Sequence, residues 1–217
     1  MAFPNSPKLL RGGLVLVDPD SGSVRRVIAL QYNPDSLSRS LQIQGTGDAG
    51  ERSEVLRLKG PAVETIKLDA EIDAADQLEF PDQNANTVQF GIQPLIAALE
   101  GLVNPTVAEL ISGNSLASIG TIEIAPAQTP LTLFVWSAQR ILPVRLTDLS
   151  VTEEAFDPSL NPLRAKVSIG MRVLSVNDVG FSHKAGTLFL GHLRNQEKLA
   201  GKAPGAALGA LGLGGIP

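Results

Sequence analysis

The stretch "VTEEAFDPSLNP", residues 151–162, gathers the acid groups that general acid–base chemistry would need: Glu153, Glu154 and Asp157, with Asn161 beside them. Hydrolysis by paired carboxylates requires two such groups facing one cleft, in surroundings that hold their pKa values apart. Adjacent residues on an extended strand point to opposite sides, so Glu153 and Glu154 cannot serve one cleft together. Asp157 and Asn161 each precede a proline, where short polar side chains bond neighbouring backbone N–H groups and close a turn. The block reads as an acidic connection between strands and not as a catalytic pair.

Other catalytic parts are few. The sequence has two histidines, His183 and His192, and no cysteine. A metal held by these histidines with Asp178 would match no familiar ligand spacing, and solvated or locally hydrogen-bonded histidines are the expectation. No HExxH, CxxC, GxSxG or glycine-rich phosphate loop occurs. No catalytic residue, metal or cofactor is expected.

A chain of 217 residues fits one domain with an extension, and 43% hydrophobic content suffices for a core. Aromatic residues make up only 4%, so Leu, Ile, Val and Ala must fill that core. A net charge of −4 gives no basic surface for nucleic acid. No apolar run approaches the roughly 20 residues of a membrane helix, and no basic segment leads into a signal-like apolar stretch. Neither membrane insertion nor a cleaved signal peptide is expected.

Period-two alternation dominates. "GLVLV" (13–17), the turn "DPDSG" and "VRRVIALQYNP" (24–34) form a hairpin, followed by a strand in 36–47. In 62–73, Ile66, Leu68, Ala70 and Ile72 alternate with Lys67, Asp69, Glu71 and Asp73, as in a strand packed from one side. "TIEIA" (121–125), "PLTLFVWSAQRILPVRLTDLSV" and "PLRAKVSIGMRVLSV" continue the pattern. "GIQPLIAALEGLVNP" is the clearest helix; residues 80–90 read as loop, 106–120 as a helical turn or loop, and 185–200 as a second helix. The tail, 201–217, carries too many glycines for a helix and reads as flexible. The expected fold is mainly β: two packed antiparallel sheets, a sandwich or barrel of about eight strands over residues 1–200, with one flanking helix. Phe134, Trp136 and Phe156 are expected in the core or in an interface pocket.

Charges flank the acidic connection. Arg140 and Arg145 precede it, and Arg164, Lys166 and Arg172 follow on one strand face. Together with Glu153, Glu154 and Asp157 they are candidates for contacts between copies meeting head to tail in a ring. An ordinary solvated face with cross-strand ion pairs fits the same pattern.

The segments "LQYNPDSLSRSL", "LKGPAVETIKLDAEIDAADQLE", "GIQPLIAALEGL" and, above all, "PLTLFVWSAQRILPVRLTDLSVTEEAFDPSLNPLRAKVSIGMRVLS" resemble the tube-associated baseplate protein of contractile injection systems, over about residues 9–200. That resemblance implies a tail-tube-like fold and a structural role: a homo-oligomeric ring, a hexamer, between inner-tube subunits and the spike or hub protein, touching baseplate wedge proteins. Strands 62–73, 141–152 and 163–175 would build the barrel between subunits. It also implies assembly in the bacterial cytoplasm within a particle that is retained or released. Many members carry a lysin-motif domain after the tube-like domain; here "APGAALGALGLGGIP" stands in that place, so no peptidoglycan role is carried over. The expected function is a non-enzymatic ring subunit joining tube to hub. The alternatives are a repeating inner-tube subunit or, in a different class, a carbohydrate- or cell-wall-binding β-sandwich.

Overall fold

The computed structural model describes residues 10–45, 57–118 and 130–216. Seven strands, β1 (Gly13–Val17), β2 (Val24–Ala29), β3 (Leu37–Gln42), β4 (Val63–Asp73), β5 (Leu131–Ser137), β6 (Arg140–Phe156) and β7 (Pro162–Val173), pair antiparallel in the order β2-β1-β5-β6-β7-β4-β3. The strand expected at 121–125 lies outside the described residues.

The mainly β, antiparallel reading holds, but the two layers are one continuous sheet that curls over on itself. In a flat sheet β2 and β4 would stand five places apart, about 24 Å. Instead Gln31, just past β2, grips the last residue of β4 from both sides. Its amide Nε2–H donates to the Asp73 carbonyl at 2.7 Å, and its Oε1 accepts the Asp73 N–H at 2.9 Å. Tyr32 adds a hydroxyl bond to Asp76 at 3.0 Å. Asn33 accepts from the Gly12 N–H at 2.9 Å and donates to the Leu10 carbonyl at 2.8 Å. Gln31 and Tyr32 thus fasten the β2 edge of the sheet to the end of β4, and Asn33 holds the segment against the chain leading into β1.

The curl encloses the main core. Leu14, Phe134, Leu142, Ile66, Val167, Ile169 and Met171 all point inward and form one cluster with Ile92, Ile96 and Phe189. The other side of β1 and β5 is covered as well, with Val17, Leu131 and Leu133 packed against Ala185 and Leu188. Two covered faces account for the unbroken apolar runs "GLVLV" and "LTLFVW", whereas β4 and β7, solvated on one face, alternate strictly.

Helices are more numerous than the flanking one and the second at 185–200 that were expected: α1 (Ala75–Leu78), α2 (Ala85–Phe90), α3 (Gln93–Glu100), α4 (Val107–Ser118), α5 (Val176–Val179) and α6 (Lys184–Ala200). The segment read as loop holds α2, too short to carry a periodic signal. α4 starts on a side-chain cap: the Thr106 hydroxyl accepts the Glu109 N–H at 3.2 Å while Glu109 accepts the Thr106 N–H at 2.7 Å. α3 buries Ile96 and Leu99, and α6 buries Ala185, Gly186, Phe189 and His192. Residues 201–216 are exposed and contain one 3₁₀ turn, Leu208–Leu211, ended by Gly212 at φ 71°. Among the described residues no helix is long and apolar enough to cross a membrane.

Candidate assembly interface

β6 is the longest strand, and its two margins are paired along different lengths. Arg140–Val144 pairs with β5 and Val144–Phe156 with β7, so the two ladders overlap only at Val144; from Arg145 to Phe156 only β7 is its neighbour. Among the described residues no strand covers the other margin, which runs about 35 Å at roughly 3.4 Å per residue.

The direction of its peptide groups follows from the ladder. Leu174 N–H donates to the Pro143 carbonyl and Ala74 N–H to the Leu163 carbonyl, each at 2.8 Å. Along β7, even-numbered residues therefore turn their peptide groups to β6 and odd-numbered ones to β4. A bulge between Leu146 and Asp148 shifts the β6 register, so Ser150↔Ser168 and Thr152↔Lys166 become the hydrogen-bonded pairs. The N–H and C=O groups of Leu149, Val151 and Glu153 then face the open margin. The side chains of Leu149 and Val151 still pack on the core cluster.

The acidic block forms the far end of this hairpin. Asp157 Oδ1 accepts the N–H groups of Ser159 (2.7 Å) and Asn161 (2.9 Å), and Oδ2 accepts from Asn161 Nδ2 at 2.8 Å. These bonds, led by Asn161, hold its carboxyl below the ordinary aspartate value. Its acceptor capacity is spent on the turn, as the sequence indicated. Asn161 Nδ2 also donates to the Gln89 carbonyl at 3.2 Å, and Ile92 N–H to the Pro162 carbonyl at 2.9 Å. Gly91, at φ 58°, makes that approach possible, because a Cβ there would lie 2.2 Å from the Pro162 oxygen.

The hairpin end carries strain and apolar surface together. Ala155 and Leu160 have φ of 53° and 64°, and Leu160 is 77% exposed, as is 51% of Phe156. Of the three aromatic residues assigned to the core or an interface, Phe134 is fully buried and Trp136 packs on it at 5.9 Å between ring centroids; Phe156 is outside the core. Leucine in the left-handed region costs about 1 kcal/mol that asparagine largely avoids. Leu160→Asn should raise stability by about that amount in urea denaturation. An unchanged or lower midpoint would mean that the turn is not strained.

The structure divides the charged candidates. Arg164 pairs with Asp73 at 2.7 Å and Lys166 with Glu154 at 3.0 Å on the solvated face of β4, β6 and β7, so the cross-strand reading describes these four. Such exposed pairs contribute about 0–1 kcal/mol each. Arg172 pairs with Asp178 at 2.7 Å, and Arg145 lies opposite Arg172 in the ladder. Glu153, opposite Ala165, sits on the other side of the strand from Glu154. Arg140 stands apart, beside α6. Among the described residues neither Arg140 nor Arg145 makes an ion pair.

Of the histidines, His183 caps α6, its Nδ1 accepting the Ala185 N–H at 3.1 Å, as expected of a locally bonded side chain. His192 departs from that expectation: it is buried, and neither ring nitrogen has a partner. Near it a pair of the half-buried Arg39 and the buried Glu64, at 2.6 Å, joins β3 to β4. The sequence reading passed over both, although Glu64 falls in phase with the buried Ile66 and Leu68. Among the described residues no group of His, Asp and Glu could hold a metal.

No family model matches the sequence, and no curated protein matches it. Two solved structures that align with it are chains of gene transfer agent (GTA) particles. One is from the tail of an empty GTA particle with C6 symmetry, at TM-score 0.31 and 12% identity. The other is from the virion of a native gene transfer agent, at TM-score 0.28 and 10% identity. Each alignment covers 75% of this chain and 90% of the other. Scores of this size lie below what a common fold requires.

Proposed function

We propose that this chain is a non-catalytic ring subunit of a phage-tail-like contractile injection particle, seated where the inner tube meets the spike and baseplate hub. The observation that carries the reading is the half-paired β6. A long row of free N–H and C=O groups on a folded sheet invites a strand from another chain. A second copy meeting that margin head to tail generates a ring when the rotation closes. The solvated face beside it suits the wall of a water-filled channel: Lys67, Asp69 and Glu71 of β4, Lys166 and Ser168 of β7, and Ser150 and Thr152 of β6 are all exposed and polar. The position at the tube–hub junction, the six-fold ring and the wedge contacts rest on the sequence resemblance.

Electron microscopy of the purified chain and of the particle that contains it tests this reading. Closed rings, present once per particle, are expected. Many stacked copies would assign the chain to the tube itself. A monomer that persists at high concentration in sedimentation, whatever the salt, would overturn the ring.

A further inference from the structure

His192 lies on the inner side of α6, 8% exposed, with Nδ1 and Nε2 both shielded from water and both without a hydrogen-bond partner. An imidazole buried in that way has lost its hydration and gained nothing in return. It lines a cleft of about 340 Å³ between α6 and the β5–β6 turn, together with Trp136, Gln139, Arg140, Gln196 and Leu199. That turn is tied to the helix, since Asn195 Nδ2 donates to the Gln139 carbonyl at 3.0 Å and to its side-chain Oε1 at 2.6 Å. The cleft is therefore held open by fixed elements and not by a loose loop.

Its electrostatics favour one kind of occupant. The charged groups acting on the ring are Glu64 of β4, Arg39 of β3 and Arg140 of β6. Glu64 is already neutralised by Arg39. Arg140, half-buried and unpaired, is left as the uncompensated charge at the cleft. A planar guanidinium with free donors, next to an amide and an imidazole that can take up a proton, matches a carboxylate better than any neutral or cationic group. The aliphatic and aromatic wall of Leu199 and Trp136 leaves room for a short hydrocarbon stem.

We propose that this cleft is a carboxylate-binding site in which Arg140 binds the anion and the buried His192 ring in the adjoining wall responds to its charge. The carboxylate belongs either to a free short-chain acid or to an acidic side chain presented by a protein. The site stands whether or not the chain forms rings. Burial is the main force holding the empty-site imidazole below its ordinary pKa, with Arg39 and Arg140 pushing the same way and Glu64 opposing. An anion in the cleft favours the protonated ring, so binding takes up a proton and strengthens as pH falls from 7.5 to 6.0.

Trp136 is the only tryptophan, so its fluorescence reports on this cleft alone. The full chain is titrated with acetate, succinate and the peptide Ac-Ala-Glu-Ala-NH2, at constant ionic strength against chloride, at both pH values. A saturable change in emission is expected, tighter at pH 6.0 by about threefold. Arg140→Gln should weaken it by at least about tenfold, and Arg140→Lys should restore part of the loss. Far-UV circular dichroism establishes that each variant is folded. Acetate or succinate binding without the peptide identifies a free acid; tighter binding of the peptide identifies a protein-borne carboxylate. A response no different from chloride, or one that Arg140→Gln leaves intact, overturns the proposal.

Discussion

Glu153→Pro is expected to abolish ring assembly while leaving the subunit folded. The Glu153 N–H points to the open margin of β6, so its loss removes no bond within the chain, and proline is tolerated where an edge N–H faces solvent. The residue before it, Thr152, is already extended, as an X–Pro pair requires. An incoming strand would lose a donor and meet the pyrrolidine ring. Rings counted by electron microscopy should fall by more than about tenfold, with the melting temperature within about 2 °C of the parent. The neighbouring Thr152→Pro supplies the contrast. Its N–H faces Lys166 across the ladder, and its removal should destabilise the subunit by about 3 kcal/mol. Normal rings from Glu153→Pro would show that this margin is not the joint between copies.

Gln31→Ala should cost about 3 kcal/mol, more than its partial exposure suggests. One side chain satisfies both the N–H and the C=O of Asp73, and truncation leaves both without partners where the sheet closes. Two bonds at about 1 kcal/mol each, plus the penalty for stranded peptide groups, give that figure. Gln31→Glu separates the two bonds: it keeps an acceptor for the Asp73 N–H and places a carboxylate against the Asp73 carbonyl. Its loss should approach that of alanine. A cost below about 0.5 kcal/mol for Gln31→Ala, by denaturant titration, would show that packing alone holds the curl.

Both expectations turn on features of unequal visibility in the sequence. β4 and β7 were legible because one face of each is wet, so Ile66–Ile72 and Ala165–Val173 alternate with charges. The turn at Asp157 was legible because its chemistry is local, completed within five residues. The curl was not. It depends on Gln31 meeting Asp73, a contact between sequence-distant residues that no local periodicity encodes. Nor was the half-paired state of β6, since an edge and an interior strand differ in what lies beside them and not in their own pattern. The His192 cleft draws on β5, β6 and α6, with Arg39 of β3 and Glu64 of β4 acting on the ring, and its only trace was polarity in apolar phase, at Arg39 between Leu37 and Leu41 and at Glu64 before Ile66. α4 was ambiguous because its exposed Val107, Leu110 and Ile111 do not mark an inward stripe.

The pairing of β1 with β5 joins residues about 120 apart in the chain, Val15 opposite Leu133. On a ribosome adding roughly 5–20 residues per second, the amino-terminal hairpin must wait about 6–24 s for its neighbour to emerge. Throughout that interval "GLVLV" is an unmatched apolar ribbon. A ribbon of that kind is a target for holdase chaperones at the tunnel exit, and yield in a heterologous host should respond to their supply more than to the codon usage of the carboxyl-terminal half.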